Sequence, residues 1–124
     1  MTGATLLLRQ IHPSFVQEGR VTSQAFKPMP KDNGLLSVYD GDLIAPAEAW
    51  DHYARGLGHL SVGAMAVTVD ECAGEQLAAR PDPEPFDEHA VVDFTLHAPK
   101  DFEKKAKKLK AIATVRGWLH QPNT

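Results

Sequence analysis

Three stretches of this sequence carry side chains whose types and spacing could do chemistry. The first is Arg9-Gln10-Ile11-His12-Pro13, which closes an apolar run beginning at Thr5. On a strand, Arg9 and Ile11 face one way while Gln10 and His12 face the other. An arginine can grip an oxyanion through two parallel hydrogen bonds, and an imidazole can take up or release a proton. Equally, Arg9 could pair with a carboxylate while His12 caps the turn opened by Pro13. The second stretch is Arg20-Val21-Thr22-Ser23-Gln24-Ala25-Phe26-Lys27, which alternates hydroxyls and amide with apolar residues as an edge strand would. Ser23 and Gln24 are its candidate donors into a ligand pocket, or simply the solvent face of that strand. The third is His89, directly after Asp87-Glu88, where a neighbouring carboxylate could steady an imidazole acting as acid or base. Its plainer role is to begin a strand in solvent.

Several familiar chemistries have no foothold. The chain has no glycine-rich phosphate loop, no GxGxxG, no HExxH and no Gly-x-Ser-x-Gly. Cys72 follows Asp70 and Glu71, whose charges oppose a thiolate, so it is a poor nucleophile. The six histidines stand at least seven residues apart, with no pair at helical or strand spacing, and neither a metal nor a cofactor is expected. His59-Leu60-Ser61 is half of the His-x-Ser/Thr pattern of two-histidine phosphoesterases, but no second copy follows. Arg9, Thr22-Ser23 and Glu88 loosely resemble the Arg–Ser–Glu arrangement of ADP-ribosyltransferases. That resemblance covers isolated positions and lacks the family's Glu-x-Glu or Gln-x-Glu element. It would imply a small enzyme handling a nucleotide or phosphate ligand, with Arg9 and His12 at its site.

The elements that must position these groups follow from hydrophobic period and punctuation. A first strand is expected at about residues 5–11, then a short turn from Pro13 to Gly19 and a short strand over Val21 to Phe26. Prolines 28 and 30 with Asn33-Gly34 make 27–34 a loop, and Leu35 to Tyr39 is the next strand. Pro46 suits a first helical position, and Trp50, Tyr53, Ala54 and Leu57 form a stripe, so 46–57 reads as a helix. Glu48 with His52 and Asp51 with Arg55 fall four residues apart on its polar face. Leu60 to Val69 is apolar on both alternating faces, which points to a central strand, and its internal glycine to another backbone packed closely or to a bulge. Prolines 81, 83 and 85, spaced by acids, make about 73–88 an extended, partly mobile connection. Ala90 to Leu96 returns to strand character. A helix over about 100–116 buries Phe102, Ala106, Leu109, Ile112 and Ala113 and ends at Gly117.

These elements make one α+β domain over 1–124, with about five strands in a mixed or antiparallel sheet and two main helices. The 124 residues are 43% hydrophobic and 23% charged, which excludes a collagen-like or wholly disordered chain. One cysteine allows no internal disulfide and fits a reducing compartment, most simply the cytoplasm. No apolar run approaches the length of a bilayer span, and the first residues carry no leader-like pattern, so a soluble protein is expected.

Charge is unevenly spread. Residues 70–93 hold eight acids and only Arg80, whereas 94–124 hold six lysines and Arg116 against Asp101 and Glu103. Lys104, Lys105, Lys107 and Lys108 could therefore meet an acidic partner. A nucleic-acid reader would be expected to interleave arginine and aromatic residues, which are missing here. The preferred expectation is an interaction module that docks a protein partner through this lysine helix and the acidic, proline-rich loop. The alternative is the small-anion enzyme, with Arg9 as clamp, His12 or His89 as acid or base, and Ser23 and Gln24 as donors.

Overall fold

The protein is described from a computed structural model, which covers residues 1–122. Seven strands form: β1 (Leu6–Gln10), β2 (Val16–Gln17), β3 (Arg20–Val21), β4 (Leu35–Asp40), β5 (Ala64–Thr68), β6 (Ala78–Pro81) and β7 (His89–Asp93). Three α-helices accompany them: α1 (Pro46–Asp51), α2 (Val69–Gly74) and α3 (Phe102–Arg116). Five strands build one sheet in the order β5-β1-β4-β7-β6, antiparallel throughout, and β2 with β3 forms a separate small hairpin.

The period-2 alternation of each strand separates two cores. On one face, Leu7, Leu36, Val38, Met65, Val67 and Val92 meet Ala106, Leu109 and Ala113 of α3, with Phe26 and Phe94 fully buried beside them. Burying a Leu, Val or Phe side chain stabilises by about 1.5–3 kcal/mol, so this layer carries most of the fold. The opposite face holds a smaller cluster, Leu8, Tyr39 and Ala66 beneath Ala49 of α1. α1 is only six residues long. The chain that follows it, with Tyr53 and Phe86, covers Tyr39, which is 4% exposed, and the site described below borders that cluster.

Several local expectations are corrected. The Leu60–Val69 run is not a central strand: β5 lies at the sheet edge. Its two faces are apolar because Met65 and Val67 pack toward α3 while Ala66 packs under α1. Its outer edge is closed by the chain end, where Ala64 exchanges hydrogen bonds with His120 and Leu119 at 2.9 Å each. Gly63 accordingly sits at φ +151°, where an added Cβ would lie 2.5 Å from the His120 carbonyl oxygen. That is the close backbone approach its glycine implies.

Val21–Phe26 does not continue as a strand either. After β3 the chain folds into a 3-10 turn, Ser23–Phe26, which tucks Ala25 and Phe26 into the core near α3. The 73–88 segment is less irregular than its prolines suggest. α2 ends in it, and β6 pairs with β7 along an edge, with Pro81 as its last residue. α2 was legible in Thr68-Val69-Asp70-Glu71. Thr68 Oγ1 accepts from the Glu71 amide at 3.1 Å and Glu71 Oε1 from the Thr68 amide at 2.7 Å, a capping box. The terminal helix stands where its stripe places it, after a 3-10 turn at Pro99–Asp101 and before Gly117.

Candidate functional site

β1 pairs with β5 over its whole length, but with β4 only at Leu7↔Asp40 and Leu8↔Tyr39. Beyond that point the two strands are bridged by a side chain. Arg9 donates from Nη1 to the Ser37 carbonyl at 3.0 Å and from Nε to the Ala25 carbonyl at 2.6 Å. It forms no ion pair among the described residues. Burial holds its pKa below the ordinary 12.5, with Tyr53 and Asp32 pulling the other way. A guanidinium remains protonated at neutral pH all the same, so this is a partly buried cation without a carboxylate partner.

Arg9 lies at one end of a cleft of about 780 Å³ on the α1 face of the sheet. This size is typical of small-molecule sites. Gln10, Ser37 and Tyr39 contribute its polar floor, and His12, His59, His89 and Lys31 also line it. Met29, Leu57 and Leu60 give an apolar rim and are 41%, 44% and 63% exposed. Tyr53 and His59 stand together with ring centroids 4.8 Å apart, while Phe86 packs 5.1 Å from Tyr39 and 5.4 Å from His89. The chain leaves α1 through a wide π turn, His52–Gly56, closed by the Leu57 amide on the His52 carbonyl at 2.9 Å. Such turns are rare and often border functional sites.

The histidines of the cleft are oriented by their neighbours. His89 is 9% exposed, and its Nδ1 lies 2.8 Å from the Asp82 carbonyl oxygen, which can only accept. The Nδ1 proton is thereby held in place, and Nε2 has no protein partner among the described residues. His12 behaves oppositely. Its Nδ1 accepts from the Ser14 amide at 3.0 Å, so in the neutral ring Nε2 carries the hydrogen. His52 lies 2.7 Å from the Tyr39 hydroxyl. Burial raises the Tyr39 pKa, with Tyr53 and Glu88 adding to the shift, so Tyr39 stays a neutral phenol hydrogen-bonded to His52 Nδ1.

Gln10 was not singled out as a ligand group by its spacing, and it is the most informative residue here. It is 5% exposed, and its Oε1 accepts from Ser61 Oγ at 2.8 Å, yet its buried Nε2 has no partner. Turning the amide over merely exchanges the roles, because Nε2 would then take Ser61 and Oε1 would be left alone. A buried polar atom without a partner costs about 1–3 kcal/mol. Gln10 also belongs to the lining of the cleft.

The other sequence candidates lie apart from this cleft. Ser23 gives its hydroxyl to Glu103 of α3 at 2.5 Å, and Gln24 is exposed and lines neither groove described here. Arg9 and Ser23 are thus not gathered with Glu88 in the way the ADP-ribosyltransferase resemblance implies. Lys104, Lys107 and Lys108 are exposed on α3, whereas Lys105 is tied to the Glu75 carbonyl at 2.7 Å. Lys107 and Lys110 join Arg20 along an open groove of about 890 Å³ between α3 and the hairpin. Cys72 is fully buried and its thiol is pushed up to about 12, chiefly by burial, with Glu71 adding to it. Among the described residues, no three His, Cys, Asp or Glu side chains converge as a metal site would require. Among the described residues, no helix is long and apolar enough to cross a membrane.

Comparison with protein-family models, with curated proteins and with solved structures gave no match to this chain. The cleft therefore has to be interpreted from its own chemistry.

Proposed function

We propose that this domain binds a small organic oxyanion in the cleft between α1 and the acidic, proline-rich loop. The observation that carries this reading is the Gln10 carboxamide, nine-tenths buried and short of one hydrogen-bond partner. Two further features support it. Arg9 and Lys31 are cations without ion pairs among the described residues, and both line the cleft. The apolar rim and the Tyr53, His59 and Phe86 rings suit a ligand with an apolar or aromatic body. Lys31, exposed at the rim, takes the anionic end and Gln10 a neutral polar group. His89, with its ring fixed through Nδ1, offers Nε2 as a proton acceptor, and His12 offers Nε2–H as a donor. A reducing, cytoplasmic setting suits the lone buried thiol.

A thermal-shift panel of citrate, inorganic phosphate, 4-hydroxybenzoate and nucleoside monophosphates tests the reading. A ligand at 100 times its dissociation constant stabilises by about 2.7 kcal/mol, a shift of several degrees for a domain of this size. The expected result is a shift that Gln10→Met diminishes and that Lys107→Glu with Lys108→Glu leaves unchanged. A shift lost only in the lysine variant would refute it.

One observation favours a second reading, an interaction module. Lys104, Lys107 and Lys108 are exposed and form no ion pairs among the described residues, which suits an acidic protein surface. The groove beside them is lined by no aromatic residue on which a nucleobase could stack, so nucleic acid is the less suited partner.

A further inference from the structure

The histidines of the cleft set how much positive charge it can offer, granted that it binds small anions. We propose that the oxyanion is taken up together with a proton and that His89 carries this proton. Arg9 and Lys31 line the cleft, but Arg9 already holds two backbone carbonyls and Lys31 stands exposed at the rim. Further charge has to come from imidazoles, the side chains that gain a proton between about pH 8 and about pH 5. His12, His59 and His89 all line the cleft, and they are not equivalent. His12 Nδ1 accepts from the Ser14 amide at 3.0 Å, so charging that ring breaks its turn cap. His59 is exposed beside Tyr53, where water screens its charge.

His89 is built differently. Its Nδ1 lies 2.8 Å from the Asp82 carbonyl oxygen and 3.4 Å from the Asp82 carboxylate, and both steady the charged ring. Nε2 has no partner among the described residues, so it takes the proton from solvent and then donates to the anion through a charge-assisted bond. The other groups facing the ring do not oppose this. Tyr39 stands opposite on β4 as a neutral phenol, and the Phe86 ring lies 5.4 Å away. Glu88 precedes His89, and its negative charge, felt at Tyr39, favours the imidazolium. His52 has its Nδ1 occupied by the Tyr39 hydroxyl at 2.7 Å. Asp32, also in the lining, accepts from the Met29 amide at 2.9 Å.

Isothermal titration with 4-hydroxybenzenesulfonate and with sulfate, which stay ionised throughout, tests this between about pH 8 and about pH 5.5. Affinity is expected to rise about ten- to 150-fold as pH falls, the range of one hydrogen bond to a charged group. Binding should also draw protons from the buffer. The neutral 4-hydroxybenzenesulfonamide should show no such rise. His89→Asn keeps a donor for the Asp82 carbonyl and is expected to flatten the profile, whereas Lys31→Ala weakens the anion at every pH and keeps the slope. In the unaltered protein, saturating sulfonate should move the titration of the His89 ring signals to higher pH, because the linkage is reciprocal. A flat profile, a rise shared by the sulfonamide, or a slope that survives His89→Asn would overturn the proposal and leave the oxyanion cleft standing. Failure of both anions at every pH would remove both.

Discussion

Arg9 and Ser37 meet where β1 and β4 cease to pair: the guanidinium donates to the Ser37 carbonyl at 3.0 Å while holding the Ala25 carbonyl at 2.6 Å. One side chain thus links two strands to the turn packed under α3, and it does so beside the cleft. Arg9→Ala is expected to destabilise the domain by about 2–4 kcal/mol, since charged hydrogen bonds contribute about 1.5–3 kcal/mol each and part is regained from water. Urea denaturation measures this. A loss under about 0.5 kcal/mol would show that the guanidinium does not clamp the sheet. Arg9→Ala is therefore a poor probe of binding, because it disturbs the fold and the cleft together.

The two sides of α3 should respond very differently. Leu109 is fully buried in the main core, and Leu109→Ala should cost about 2–5 kcal/mol. Lys108 is exposed and unpaired among the described residues, so Lys108→Ala should stay within about 0.5 kcal/mol. Similar losses in thermal melts of both variants would mean that α3 does not pack through this stripe.

Acid sensitivity should arise from two carboxylates. Arg116 grips Glu71 through two hydrogen bonds of 2.8 and 2.9 Å and, more than any other group, holds its pKa below the ordinary 4.5. Thr95, and then Arg80, brings Asp93 from 3.8 to about 2. Both values are depressed in the folded state. Their stabilisation is therefore complete above the unfolded values and is lost as pH falls through the folded ones. The urea midpoint should drop between about pH 4.5 and about pH 2. Glu71→Gln should start lower at pH 7 and fall less over that range. An identical fall in the variant would contradict this assignment.

Cys72 should be inert in the native protein, with its thiol at about 12 and no exposed surface. Ellman's reagent at pH 8 should titrate no thiol until denaturant is added. Rapid native labelling would show that α2 opens readily from the core.

Much of the fold was written locally. Pro46, Pro99 and Gly117 punctuate the helices where they stand, and the apolar stripe of α3 fixes its buried face. Less legible were positions decided by distant partners. β5 looks like a central strand because both its faces are packed, Met65 and Val67 in the main core and Ala66 in the smaller one, although it lies at the sheet edge. Phe26 needed the core beneath α3 to draw its segment into a turn. Arg9, His12 and His89 were visible as residue types, and all three do line one cleft. Their companions Tyr39, Tyr53, His59 and Phe86 come from four further segments, which no spacing could join. Gln10 had one signal, a polar residue amid a buried apolar run, and its missing partner shows only once Ser61 is in place.

The most direct test of the cleft is a ¹H–¹⁵N spectrum recorded while AMP, and separately 4-hydroxybenzoate, is titrated into the labelled protein. The account predicts that at least one of them shifts the Gln10 side-chain amide together with the backbone signals of Tyr53, His59 and His89. Lys104, Lys107 and Lys108 should stay still. Shifts confined to α3 and Arg20, or none with either compound, would contradict it.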